Sequence, residues 1–594
     1  MASTDESRTT IAREFVAALD SRRDRVALRW RDADGTWLSW TTAELADRVA
    51  RAAVGLRELG VRPGQRVLLM LRNIPEFHVA DLAVLFCGAT PVSIYNSSAP
   101  EQIAYLAGHA EAGVAIVEDA GFLARFDPVR DRLPLLTGFV VVRPQDTTPG
   151  DAVSWESLLD NEPLDLADAA AATSPDTPAT VIYTSGTTGP PKGVVLTHDN
   201  VVAQVAAVRA LSDEDVTGRR VVSYLPMAHI AERAVGHYGL VLNGYEVACC
   251  PDPDQLGEYL VQVRPQVLFG VPRVWEKIRA RVLAAVSADP ERAATLAGAI
   301  AMATPIALAR NWGTATDEQN ATWEHLQNAG LRAVRELVGL DQLEYAITGA
   351  APIPVEVLLW WIGLGVPLSE VYGMSENTGA MTWTPSRIKP GTVGPPLPGT
   401  EVRLAEDGEV LCRGSIVFPG YLKDSERTSD TVDDDGWLHT GDIGEFDEDG
   451  YLRIVDRKKE LIITAGGKNI SPANLEAALK TIPLVAQAFV VGDAMPYTAA
   501  LVVLDPEAAP GWAASRDIAY SSLADLAAHP DVAAEIESGL DAAMAPFSRA
   551  EKVKRVRVLG VEWLPDSDEL TPTAKLKRRV IRAKYAADIE SLYT

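Results

Sequence analysis

The chain has 594 residues, 47% of them hydrophobic, and carries 55 Lys and Arg against 81 Asp and Glu, a formal charge of −26. That length exceeds what one hydrophobic core serves, so two or more domains are expected, and the acidic balance argues against non-specific binding to nucleic acid or anionic membrane surface. The cysteines, Cys87, Cys249, Cys250 and Cys412, form no CxxC pair and lack a His-rich cluster, which speaks against a zinc site or disulfide framework and for a reducing cytoplasm.

In chain order, the acidic start Met1-Ala2-Ser3-Thr4-Asp5-Glu6 is followed by no apolar stretch of signal-peptide type, so no secretory leader is expected. Residues 42–59 carry apolar residues at Leu45, Val49, Ala52, Val54, Leu56 and Leu59, the pattern of an amphipathic helix. Residues 66–71, 114–117, 138–142, 221–225 and 267–269 read as buried strands, and their alternation with amphipathic segments through residue 370 predicts α/β layering. The most apolar runs, such as residues 67–71 and 83–86, are interrupted well short of the ~20 residues a spanning helix needs, so a soluble protein, at most peripheral at a membrane, is expected. Residues 146–177 read as surface connection with one helix, and residues 211–219 as a polar connection.

Between strand-like residues 179–183 and 194–196 lies Thr184-Ser185-Gly186-Thr187-Thr188-Gly189-Pro190-Pro191-Lys192-Gly193. Glycines let backbone N–H groups approach an anion, hydroxyls add donors and a lysine adds charge, so the run reads as a phosphate-handling loop. It is not a Walker motif, because Lys192 precedes Gly193 and a strand follows rather than a helix. Most clusters of this composition are plain turns, and the density of hydroxyls is what sets this one apart.

Beyond residue 390 the texture becomes β-rich, at residues 391–394, 402–404 and 410–414, which predicts a small barrel-like subdomain. The charged run Val455-Asp456-Arg457-Lys458-Lys459-Glu460 between apolar segments reads either as a solvated strand end or as a hinge. The tail from residue 461 has the length of a small domain.

The loop resembles the signature loop of the acyl-adenylate-forming superfamily, and further motifs resemble its members in order. Tyr372-Gly373-Met374-Ser375-Glu376 is similar to the aromatic-Gly-x-Thr-Glu motif, with Ser375 keeping the usual hydroxyl. Gly349-Ala350-Ala351-Pro352 matches a second nucleotide-lining turn, and Trp437-Leu438-His439-Thr440-Gly441-Asp442 the Trp/Thr-Gly-Asp motif, with Arg457 fifteen residues on. Leu570-Thr571-Pro572-Thr573-Ala574-Lys575-Leu576-Lys577 resembles the C-terminal Pro-x-Thr-x-x-Gly-Lys pattern, compressed and with Ala574 in place of glycine. Tyr224-Leu225-Pro226-Met227-Ala228-His229 and Phe269-Gly270-Val271-Pro272-Arg273 look like the long-chain acyl-CoA synthetases.

The resemblance implies an α/β fold: a large N-terminal domain over residues 1–456, with two α/β subdomains and a small β-barrel-like subdomain, a hinge at residues 457–460 centred on Lys459, and a mobile α+β C-terminal lid domain over residues 461–594. It implies ATP-dependent activation of long-chain fatty acids to acyl-CoA through an acyl-adenylate, with ATP, Mg²⁺ and coenzyme A. Phosphates would meet Thr184, Ser185, Gly186, Thr187, Thr188, Gly189 and Lys192. Adenine would meet Gly349, Ala350, Tyr372, Gly373 and Ser375. The ribose would meet Asp442 and Arg457, and Thr184 and Glu376 would hold the metal. Lys575 is the expected stabiliser of α-phosphate charge, with Lys577 the alternative. His229 lies beside the acyl group in the family, although a lone histidine is as often structural. After rotation about Lys459, the loop Ala465-Gly466-Gly467-Lys468 would leave room for pantetheine. Peripheral membrane contact and a homodimer stay open. Three rivals share features: a fatty acyl-AMP ligase, disfavoured by the lack of an insertion after the hinge motif; a luciferase-type oxygenase; and a catalytically silent nucleotide binder.

Overall fold

The apolar runs of the first 370 residues become parallel strands. One sheet has five strands in the order Thr90–Ser93, Arg66–Met70, Val114–Asp119, Gly138–Arg143 and Val153–Ser154, all neighbours parallel. Residues Val67 to Met70 are at most 1% exposed, as expected of parallel strands covered on both faces. Leu68 and Met70 pack in one cluster with Ile103 and Leu106 of the helix Pro100–Ala110.

The second sheet has seven strands, Leu368–Glu370, Tyr345–Thr348, Val267–Gly270, Arg220–Ser223, Glu246–Cys249, Val26–Arg31 and Trp37–Thr41, with only the last antiparallel to its neighbour. The expected helix over residues 42–59 is Thr42–Glu58, opened by a capping box in which Thr41 Oγ1 accepts from the Glu44 N–H and the Glu44 carboxylate accepts from the Thr41 N–H.

The structure, a computed structural model, describes residues 8–143, 150–184, 190–287, 289–463, 469–493, 495–549, 551–564, 567–571 and 574–593. The chain divides into two units. The first comprises Met1–Ala350, Val357–Arg403 and Leu411–His439, and the second Ala351–Glu356, Leu404–Val410 and Thr440–Thr594. In the second unit, Val485–Val491, Ala499–Leu504 and Arg555–Leu559 form a three-stranded sheet packed against the helices Pro472–Leu479 and Pro530–Ala543. Strands Leu438–Phe446 and Leu452–Arg457 pair antiparallel, within a four-stranded sheet completed by Glu401–Leu404 and Glu409–Arg413.

Three expectations are corrected. Residues 391–394 are a turn, not a strand, because Gly391 and Gly394 hold φ of 84° and 79°; a Cβ on Gly394 would lie 2.9 Å from the Trp383 carbonyl carbon. The connection over residues 146–177 carries two short helices rather than one, Trp155–Leu159 and Leu166–Ala171, each N-capped by its own side chain, Ser154 and Asp165. The helix Pro290–Asn311 is long and apolar enough to cross a membrane by length and composition, with Ile300, Ala303 and Ile306 buried. Its apolar residues are mostly alanines, interrupted by Thr295, Gly298, Thr304 and Pro305, and make no continuous run of large apolar residues.

Candidate active site

The phosphate-loop hairpin forms as its composition predicts: Pro178–Thr184 pairs with Lys192–Thr197 in antiparallel register, with Thr184 directly opposite Lys192. Ser185, Gly186, Thr187, Thr188 and Gly189 lie outside the described residues. Both stems of the loop are braced from the helix Pro100–Ala110, where Tyr105 OH donates to the Pro191 carbonyl at 2.9 Å and His109 Nδ1 lies 2.8 Å from Tyr183 OH. Gly193 sits in a tight spot, where a Cβ would lie 3.0 Å from Val181 Cγ1 and 3.2 Å from Leu422 Cβ and would push those side chains aside by a few tenths of an ångström.

Across from the hairpin, the short 3-10 turn Ser375–Asn377 presents Glu376, which is 5% exposed. Its Oε1 accepts from Tyr421 OH at 2.7 Å and lies 3.8 Å from Lys192 Nζ, and Lys192 Nζ donates to Tyr421 OH at 3.1 Å while standing 4.6 Å above that ring. The loop lysine and the motif carboxylate, 184 positions apart in the chain, thus share one phenol. Tyr421 is the residue that sequence reasoning missed. Its only signal is a glycine before an aromatic at the end of a two-residue strand, Gly420–Tyr421, that pairs with the hairpin. Burial and the adjacent carboxylate push its hydroxyl pKa up, so it remains a donor.

The adenine-motif backbone is fixed by close approach. A Cβ on Gly373 would lie 2.2 Å from the Gly379 carbonyl, and one on Gly349 would lie 2.7 Å from Val371 Cγ1. Ala350 adopts φ of 70°, a left-handed conformation costing a non-glycine residue roughly 1–2 kcal/mol. Tyr372 is half-buried and bridges to Thr382, and Ser375 is half-buried beside Glu376. Asn377 locks the turn by accepting from the Met374 N–H at 2.8 Å.

These residues all follow the C-terminal ends of parallel strands: Tyr224 after Arg220–Ser223, Gly349 and Ala350 after Tyr345–Thr348, Tyr372 after Leu368–Glu370. Ligands of open α/β sheets bind at those ends. Along the same sheet face runs an apolar cavity of about 920 Å³, its open mouth included, lined among others by Val208, Leu211, Val235, Phe269, Ile347 and Trp383. Its lining also includes Val371, Gly379 and Ala380, which flank Tyr372 and Glu376, and Ala231, two residues beyond His229. His229 is half-buried, and its Nδ1 accepts from the Ala231 N–H at 3.2 Å, capping the turn Ile230–Glu232.

The cavity wall is anchored by charge. The π-helix Arg233–Asn243 begins on a fully buried Arg233, which donates to Asp81 Oδ2 at 2.5 Å and to Ser93 Oγ at 2.8 Å, while His237 Nε2 lies 2.8 Å from Asp81 Oδ1. Despite its burial, Asp81 is held at about 2 by Arg233 and His237. Glu232 is also buried, but its partners are the backbone N–H groups of Leu225 and Tyr224, and burial raises its pKa to about 7. A carboxyl raised above its unfolded value of about 4.5 costs stability as pH climbs through that interval, since the unfolded chain sheds the proton first. Glu232→Gln is therefore expected to flatten the fall in stability between pH 5 and 8 by on the order of 2–3 kcal/mol, measured by urea denaturation at both pH values; equal pH slopes for both proteins would show that Glu232 does not titrate there.

In the second unit, the strand register places Asp442 directly opposite Arg457, with Arg457 Nε 3.7 Å from Asp442 Oδ1. Thr440 turns inward to donate to the Val410 carbonyl at 2.7 Å, and the Asp442 N–H donates to Thr440 Oγ1 at 3.1 Å. Lys459 is exposed in the turn that follows. Gly466 and Gly467, with Ala465 and Lys468, lie outside the described residues. Lys575 is half-buried, and its N–H and carbonyl both bond to Thr571. Ala574, where the family pattern has glycine, has φ of 57°, so this backbone shape is the one glycine favours. Lys577 Nζ donates to the Ser567 carbonyl at 2.7 Å.

Among the described residues no group of three or more His, Cys, Asp or Glu could hold a metal ion. The donor set nevertheless fits Mg²⁺, which takes one or two carboxylates and completes its shell with phosphate oxygens and water. Glu376 is such a carboxylate, and Thr184 Oγ1 is buried without a hydrogen-bond partner, an orphaned hydroxyl at the root of the phosphate loop.

The sequence profile of AMP-binding enzymes matches residues 15–422, and that of the AMP-binding enzyme C-terminal domain matches residues 459–594. The chain belongs to the AMP-binding enzyme family. Over 572 residues it is 36% identical to the long-chain-fatty-acid–CoA ligase FadD15 of Mycobacterium tuberculosis, covering 94% of this chain and 93% of that protein. It is 31% identical to the long-chain-fatty-acid–CoA ligase ACSBG1 of Homo sapiens, covering 98% of this chain and 85% of that protein. Among solved structures, the adenylation domain of a carboxylate reductase from Mycobacterium chelonae aligns with a TM-score of 0.76 at 23% identity, over 98% of this chain and 91% of that one. An anthranilate CoA ligase, AuaEII, in complex with anthranoyl-AMP aligns with a TM-score of 0.74 at 19% identity, over 99% of this chain and all of that one. The fold is that of the adenylate-forming enzymes.

Within this family member, Tyr421→Phe is expected to raise the KM for ATP about fivefold with little change in kcat, because one hydrogen bond between neutral and charged partners is lost. Steady-state kinetics at saturating fatty acid would read this; a fall in kcat at constant KM would give Tyr421 a different role.

Proposed function

We propose that this protein activates long-chain fatty acids with ATP and transfers them to coenzyme A. The observation that carries the reading is the apolar cavity whose lining flanks the Tyr372–Glu376 motif and His229, so that an alkyl chain in the cavity would present its carboxylate beside the ATP site. The names of the curated relatives support the long-chain class.

In the first half-reaction a carboxylate oxygen attacks the α-phosphorus of ATP, the bond to the β-phosphate breaks, and pyrophosphate leaves with its electron pair. Lys192 and the backbone of the signature loop bind the phosphates, Tyr372 and Gly349-Ala350 flank the adenine, and Asp442 accepts from the ribose hydroxyls with Arg457 beside it. Glu376 and Thr184 would hold Mg²⁺, which supplies charge neutralisation on the phosphate oxygens. Lys575 donates to the α-phosphate oxygens as charge develops. The N-cap hydrogen bond of His229 supports a wall position for its ring, next to the acyl carbonyl. In the second half-reaction the C-terminal domain turns about Lys459, the Gly466-Gly467 loop admits pantetheine, and the CoA thiolate attacks the acyl carbonyl to expel AMP.

The test is pyrophosphate and AMP release against fatty acids from acetate to about C20, with and without CoA. CoA-dependent AMP release that peaks at long chains is the expected result. Pyrophosphate release indifferent to CoA would favour an acyl-AMP ligase, and no release on any acid would favour a silent binder.

A further inference from the structure

Arg578 stands three residues beyond Lys575, at the start of the helix Arg578–Lys584. Its guanidinium forms a fork on Glu476, Nη1 to Oε1 at 2.8 Å and Nη2 to Oε2 at 2.6 Å, and its Nε donates to Glu460 Oε2 at 3.0 Å. Glu476 is 5% exposed and also accepts from the Val490 N–H at 2.7 Å, which ties the fork to the central sheet of the second unit. The guanidinium lies 5.6 Å from the centroid of Phe489. This is a desolvated, bidentate, charge-assisted contact, the strong kind. The Arg578 side chain joins the Lys575 segment to the turn after Lys459.

On the other side of that turn, Lys458 Nζ is held by Asp407 at 2.5 Å and Glu409 at 3.1 Å, and its N–H donates to the Gly441 carbonyl at 2.8 Å. Lys459 lies between the two anchors, exposed and with no side-chain partner among the described residues. The contacts that span it are two backbone hydrogen bonds to the Arg457 carbonyl, from the Glu460 N–H at 2.9 Å and the Leu461 N–H at 3.1 Å, and one side-chain pair, Arg457 to Glu460 at 3.9 Å with Arg457 half exposed. Exposed pairs at that distance contribute ~0–1 kcal/mol and yield first.

We propose that Glu460 and Arg578 form a positioning clamp which makes the Lys575 segment follow any turn of the backbone at Lys459. With residue 458 anchored to Asp407 and Glu409, and residue 460 anchored through Arg578, rotation is confined to one residue. The angle taken there is delivered to the Lys575 segment through the Glu460 and Arg578 side chains rather than through the chain between residues 460 and 575. Glu460 and Arg578 are positioning residues; neither meets the substrate. The inference rests on the assignment of Lys575 to the adenylation step.

The test is Glu460→Gln in the full-length protein, assayed separately for acyl-AMP formation and for thioester formation from supplied acyl-AMP, with melting temperature and Lys575→Ala alongside. E460Q leaves the buried Arg578–Glu476 fork intact, so its melting temperature should stay within a few degrees of the parent's. Acyl-AMP formation should fall on the order of tenfold, the loss that follows a sub-ångström displacement of a reacting group, while thioester formation stays within about twofold. Arg578→Lys, which keeps the charge and loses the fork, should show the same split. If K575A blocks acyl-AMP formation while E460Q leaves it unchanged, or lowers both half-reactions alike, the clamp is overturned and the role of Lys575 stands. If K575A leaves acyl-AMP formation intact, the assignment of Lys575 falls and the clamp with it.

Discussion

Replacing Lys575 with alanine is expected to slow acyl-AMP formation by about a thousandfold while leaving thioester formation from supplied acyl-AMP within a few-fold of the parent. The magnitude follows from removing a donor aimed at charge that develops only in the transition state, which costs on the order of 10²–10³ in rate. The asymmetry follows from the proposed turn about Lys459, which takes Lys575 out of the site before the thiolate attacks and AMP leaves with the electron pair of the broken acyl–oxygen bond. Lys577→Ala is the control. The Lys577 ammonium is already bound to the Ser567 carbonyl, and its N–H to the Glu569 carbonyl, so its loss should cost some stability and less than tenfold in acyl-AMP formation. Separate assays of the two half-reactions decide the matter; equal losses in both for K575A would rule out a lysine confined to the first step.

Glu376→Gln is expected to lower kcat/KM for adenylation by roughly 10²–10³ and to raise the Mg²⁺ concentration needed for half-maximal rate. The side chain keeps its volume, and the backbone carbonyl of residue 376 still accepts from the Phe418 N–H, so the fold of the turn should survive. What is lost is the carboxylate charge that lies 3.8 Å from Lys192 Nζ. Pyrophosphate release followed across a Mg²⁺ titration reads both effects. Activity within about threefold of the parent, with an unchanged Mg²⁺ requirement, would remove Glu376 from the metal site.

The parallel strands were legible because a short run such as residues 67–70 is apolar on both faces, which fits a strand covered by helices on both sides. The hairpin around the phosphate loop was legible for a similar reason: β-branched residues on both sides of a Gly/Ser/Thr cluster leave few other conformations. Residues 391–394 misled because valine and threonine between glycines carry β propensity, whereas the positive φ of Gly391 and Gly394 turns the chain. The helix Pro290–Asn311 escaped because alanine is apolar without making a recognisable large-residue stripe.

Local sequence by itself picked out the side chains proposed to carry chemistry: the loop lysine, the motif carboxylate and the strand-borne Asp442 and Arg457 sit in short segments whose composition matches a phosphate, metal or ribose contact. Asp442 and Arg457 pair because a hairpin register is a local property. The tertiary structure alone decided that Tyr421 links Lys192 to Glu376, that residues from 204 to 385 line one cavity, and that Arg578 reaches Glu460 across 118 positions. Contacts of that kind depend on how sheets and helices pack, and packing is set by the sum of many buried side chains rather than by any periodicity a short window of sequence contains.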